Sequence, residues 1–149
     1  MPPVKKSVML SEASHQFLLD RTREGVGVGW SENVNFNIRA LRFLIQDNMP
    51  ALTVEQWRII LNTYNGISIE SDVPPYRIAS DMMDHYGVLE LSELKNDDIR
   101  QTVRTVHGFT QSQQFAILDV VLRFWCADWK MKDLKEGLDE LTGGKVVVD

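Results

Sequence analysis

Residues 24–33 read EGVGVGWSEN: three glycines at alternate positions, then Trp30 and a serine able to cap a helix. If this stretch were a dinucleotide loop the chain would be an α/β protein; if it is a turn between helices the chain is mainly helical. A dinucleotide fingerprint needs G-x-G-x-x-G directly after a strand, inside a parallel βαβ unit. Here Gly25, Gly27 and Gly29 give G-x-G-x-G after a helical pattern, so both spacing and context fail. A P-loop fails too, because no Gly-Lys-Ser or Gly-Lys-Thr occurs anywhere. Two readings are left: a plain turn in which glycine tolerates positive φ, or a loop that delivers the next helix to a phosphate outside any nucleotide site.

Outward from the glycines, helix signals dominate. On the N-terminal side, KKSVML over residues 5–10 is a short alternating run, and Ser11 can cap a helix to about Glu24. On the C-terminal side, Ser31 is expected to cap a helix to about Asp47. Val34, Ile38, Leu41 and Ile45 form one apolar stripe of that helix, and Phe36, Ala40 and Phe43 form another. A helix apolar on two sides must be covered on two sides, by a second chain or by the rest of this one. Pro50 ends this part.

Beyond Pro50, Thr53 to Gln56 reads as a capping box opening a third helix that turns Trp57, Ile60, Leu61 and Tyr64 inward. Residues 67–74 read as a loop, with Pro75 in the first turn of a fourth helix that stops at Gly87. A fifth helix is expected from Asp97 or Asp98 to Gly108, and Thr110 to Gln113 is a second capping box. The sixth helix is predicted to be the longest, with Phe115, Leu118, Leu122, Trp125 and Trp129 on one face and Ile117, Val121 and Phe124 on a neighbouring one. A weaker helix over residues 131–141 and a tail, TGGKVVVD, complete the chain. The expected fold class is mainly α, with residues 1–48 and 49–149 as two domains, the second a helical bundle.

A chain of 149 residues, 44% hydrophobic and 25% charged, can bury a core. No run approaches the roughly 18 consecutive apolar residues of a membrane span, and Val8 to Leu10 is far short of a signal-peptide core, so a cytoplasmic location without membrane contact is expected. Cys126 is the sole cysteine, which leaves no intrachain disulfide or cysteine-based zinc site, and its setting FWCADW suggests a small buried side chain. Residues 1–48 carry six basic and five acidic side chains, and residues 49–149 carry ten and sixteen, so +1 and −6 make up the net −5. That balance argues against broad coating of nucleic acid but allows a small basic face.

The order of strand, helix, glycine turn and helix over residues 5–45 resembles the N-terminal module of ribbon-helix-helix DNA-binding proteins, over less than a third of the chain. The resemblance implies that two chains pair their strands into an antiparallel ribbon that enters the major groove. It also implies that backbone N–H groups opening the second helix clamp a DNA phosphate. On these positions, Lys5, Ser7 and Met9 would face the groove, while Val8 and Leu10 would join Val34, Ile38 and Leu41 in a dimer core. Ser31, Glu32 and Asn33 would form the clamping helix start, with Ser31 as cap. The sequence departs from the pattern at Lys6, where a core residue is expected, at Met9, which offers no hydrogen bond to a base, and at Glu32, which sets negative charge beside a phosphate.

The remaining candidates carry less. Asp81, Asp84 and His85 could approach a divalent metal but read better as a polar edge flanking buried Met82. His15, His85 and His107 have no evident Ser or Cys partner for nucleophilic catalysis. Trp57, Trp125 and Trp129 fall on helical apolar stripes, whereas Trp30 can pack on Val34 or lie exposed at a partner surface. The expected function is therefore that of a non-enzymatic transcriptional regulator, a homodimer on double-stranded DNA, with no cofactor and no metal. The alternative is a protein-interaction module, an antitoxin-like adaptor or inhibitor that engages another protein through the acidic residues 49–149.

Overall fold

The local signals become helices almost wherever a side chain can close the first turn. The computed structural model describes residues 9–22, 29–65, 77–126 and 133–148. The protein is mainly α-helical, in two compact units, residues 1–43 and 44–149, so the division falls within the second helix and not after it. Lys5, Ser7, Val8, most of the glycine loop, the loop at 67–74, Pro75 and Trp129 lie outside the described residues, as does the side chain of Cys126. Met9 and Leu10, the end of the expected strand, are in no strand.

In the first unit, α1 spans Glu12–Leu19 and α2 begins at Trp30 and runs to Asp47. The Ser11 cap is present, its Oγ accepting from Ser14 N at 3.2 Å. α1 ends at Leu19 and not near Glu24, because Arg21 and Thr22 turn back onto its last carbonyls. Arg21 donates to Phe17 O at 2.9 Å and Thr22 Oγ1 donates to Leu18 O at 3.0 Å. These side chains satisfy groups that a helix end leaves without intrahelical partners.

The second unit is built on α3 (Val54–Thr63), α4 (Ile78–His85), α5 (Asp97–His107), α6 (Gln111–Cys126) and α7 (Leu134–Thr142), with a short 3-10 turn at Leu91–Glu93. Both expected capping boxes form. Thr53 Oγ1 accepts from Gln56 N while Gln56 Oε1 accepts from Thr53 N, and Thr110 and Gln113 repeat the exchange. α3 packs against α4, α5 and α7, and buries Trp57, Ile60 and Leu61 as its spacing predicts. α5 turns Val103 and Val106 inward, with Gln101, Arg104 and His107 exposed. Ile78, Met82, Ile117, Val120, Val121 and Leu138 complete a continuous core. On α4, Met82 is buried and Asp81, Asp84 and His85 are exposed.

Two expectations need correction. α6 is described from Gln111 to Cys126, and the expected extension to Trp129 lies outside the described residues. Its buried apolar side chains are Ala116, Ile117, Leu118, Val120 and Val121, so Leu118 of the first expected face is inward, but Leu122 and Trp125 are exposed, and Trp125 donates its Nε1 hydrogen to Leu61 O at 3.2 Å. The last residues are no tail: β2 (Val146–Val147) pairs in parallel with β1 (Leu52–Thr53), Leu52 opposite Val146 and Thr53 opposite Val147.

One part-buried polar link joins the end of α3 to α4. Tyr64 follows α3 and is buried, and its hydroxyl donates to Asp81 Oδ2 at 2.7 Å. Burial, then the hydrogen bond to Asp81 and its negative charge, push the phenol well above its ordinary range. A group raised in the fold contributes its full stability below the unfolded value, near pH 10, and loses it as pH climbs toward the folded value. The fold is therefore expected to weaken steeply above about pH 10, and Tyr64→Phe should flatten that slope while costing about 1–2 kcal/mol at neutral pH. Denaturant titrations of both forms from neutral to alkaline pH measure this.

Candidate nucleic-acid interface

Among its described residues the first unit has little apolar interior, and its helix pair is held by polar groups. Asn33, on the second turn's approach of α2, is 4% exposed and donates from Nδ2 to Leu18 O at 2.8 Å and to Thr22 Oγ1 at 3.0 Å. Asn37, one turn on, donates from its own Nδ2 to Asn33 Oδ1 at 2.7 Å and to Asn33 O at 2.8 Å. Both hydrogens of the buried Asn33 amide and its Oδ1 thereby find partners, which is the condition for a buried amide to be tolerated.

Around this lock the apolar side chains are uncovered. Neither α1 nor α2 buries an apolar residue; Asn33 is the only buried side chain of the two. Leu10, Ile38 and Leu41, expected in a dimer core, are exposed in the single chain, and Val34 is half-buried. Phe36 at 67% and Phe43 at 58% exposure leave the second stripe open as well. Met9 is exposed, and Trp30 is exposed with its ring 5.6 Å from that of His15.

The start of α2 differs from the expectation in two ways. Gly29 O accepts from Asn33 N at 3.1 Å, so Gly29 occupies the cap position and Ser31 lies one residue inside the helix. Ser31 therefore is not the cap. The reason lies at Glu32, whose carboxylate folds back over Gly29, where an added Cβ would stand 2.5 Å from Glu32 Oε2. A glutamate in the third helical position reaching over a residue without a side chain competes with a serine cap, and its charge suits the positive end of the helix. Asn33 is the second difference: its side chain is spent on the α1 contact and its backbone N–H on Gly29, so it has nothing to offer a phosphate.

An open groove of about 760 Å3 runs beside these residues, lined by Arg21, Glu32, Asn35, Phe36 and Arg39 among others. Arg21 is already engaged, its guanidinium 3.5 Å from the Phe17 ring centroid. Sequence reasoning passed over Arg21, Thr22, Asn37 and Arg39. The i, i+4 spacing of Asn33 and Asn37 was the one available signal for the polar lock.

No family model matches the chain, and neither a curated protein nor a solved structure matches it. Among the described residues, no three His, Cys, Asp or Glu side chains converge as metal ligands, and no helix is long and apolar enough to cross a membrane.

Proposed function

We propose that the N-terminal unit is an association module completed by a second copy of the chain, and that the dimer binds double-stranded DNA as a non-enzymatic transcriptional regulator. The observation that carries the reading is the absence of any buried apolar side chain on α1 and α2, although both are rich in them. A unit of this size rarely holds two such helices on polar contacts alone, and a partner's matching surface would supply the missing interior. Pairing of residues 5–10 between copies would place Lys5, Ser7 and Met9 on one outward face, with Arg39 and Arg42 of α2 adding exposed positive charge.

One observation favours the second reading, an interaction module for another protein. The Glu32 carboxylate already lies at the start of α2, the position a DNA phosphate would take. If the chain binds DNA, Glu32→Gln is expected to strengthen it, most at low salt, and Lys5→Ala with Ser7→Ala is expected to abolish it. Fluorescence anisotropy on mixed-sequence duplexes, compared at about 50 and 200 mM salt, measures both effects. Failure of the unsubstituted chain to bind at the lower salt would leave the protein-interaction reading standing in its place.

A further inference from the structure

We infer that residues 143–148 form a releasable clasp that sets the order of the last turn of α2. The last carbonyls of any helix have no intrahelical donor. In α2, Leu44 O receives Asn48 N and Asn48 Nδ2, whereas Gln46 O, and Met49 O just beyond the helix, receive Lys145 Nζ at 3.2 and 3.4 Å. The ammonium group also lies where the helix dipole is negative.

Lys145 is delivered there by a hydrogen-bonded glycine turn. α7 closes on Gly143 at φ 70°, followed by Gly144 at φ 88°, backbone that side-chain-bearing residues rarely adopt. Gly144 N donates to Asp139 O at 2.7 Å and Lys145 N donates to Thr142 Oγ1 at 3.1 Å. The chain then enters β2 opposite Leu52 and Thr53, and Thr53 is the cap of α3. A single short segment thus grips the end of α2 and the start of α3 together.

The grip is built to open. Each strand has two residues, and a two-stranded sheet is marginal by itself in water. Lys145, Val147 and Val148 are exposed and Val146 alone is half-buried against the core, in contrast to the fully buried Trp57, Ile60 and Val106. Opening would release the Gln46 and Met49 carbonyls and loosen residues 44–49, while Met49 and Ile45 keep their contacts with the core and the contacts among α3, α4 and α5 are untouched. The clasp is thereby independent of whether the first unit meets DNA or protein.

Amide hydrogen exchange on the full chain tests it, in wild type, Lys145→Met and Val146→Pro. Amides of residues 44–49 are expected to exchange about tenfold faster in both variants, while those of α5 stay within about twofold of wild type. Unchanged protection at 44–49 in Lys145→Met, the variant that leaves the strand pairing intact, would overturn the clasp. Equal acceleration across 44–49 and α5 would overturn it as well, since the segment would then only add to global stability.

Discussion

Trp57→Ala is expected to cost about 3–5 kcal/mol, a large share of the total stability of a domain this size, and to leave much of the second unit unfolded at ambient temperature. Trp57 is fully buried on α3, the helix that meets α4, α5 and α7, so the void would open where the most elements converge. Trp57→Phe should behave quite differently. The indole Nε1 is buried without a hydrogen-bond partner among the described residues, a condition that costs about 1–3 kcal/mol. Phenylalanine gives up ring area but removes that unpaired N–H, and the two effects are expected to offset to within about 1 kcal/mol. Guanidinium unfolding followed by far-ultraviolet circular dichroism separates the variants. If Trp57→Phe proved as damaging as Trp57→Ala, ring volume alone would govern the site.

A second large effect is expected at Ile38 and Leu41. Placing glutamate at both positions should weaken self-association at least about 100-fold, because each charge would have to be desolvated in the contact. The same substitutions should leave the second unit's melting unchanged within about 0.5 kcal/mol, since both side chains are exposed in the single chain. Sedimentation equilibrium on the two forms reads the first outcome and thermal melting reads the second. A wild-type chain that is monomeric at tens of micromolar would remove the association module altogether.

The legible parts of the fold were those decided within a few residues. Thr53 with Gln56, Thr110 with Gln113, and Ser11 each close a first turn using only neighbours, and all three form as read. The end of the chain was illegible for the opposite reason. Val146 and Val147 are a strand only because Leu52 and Thr53, distant in sequence, offer them an edge, and no local pattern carries that information. α6 holds two apolar stripes of similar quality, and its tertiary neighbours, not its periodicity, turn Ile117 and Val121 inward ahead of Leu122 and Trp125. At the candidate interface, the preference for serine as a cap pointed to Ser31. The pairing of a bare glycine with a glutamate three residues on moved the cap to Gly29.

Asn33 has a consequence for how the first unit would meet any partner. Apolar contacts tolerate sliding and rotation, but an amide that must reach both Leu18 O and Thr22 Oγ1 admits one rotation of α2 against α1. The open side chains of α2 are therefore presented in one fixed pattern before association begins. Binding to such a surface does not have to freeze the relation between its own helices, and that entropy, a main cost of assembling loose segments, is already spent at folding. Preorganisation of this kind favours a slow off-rate from a modest contact area, which is what a small module of two helices requires.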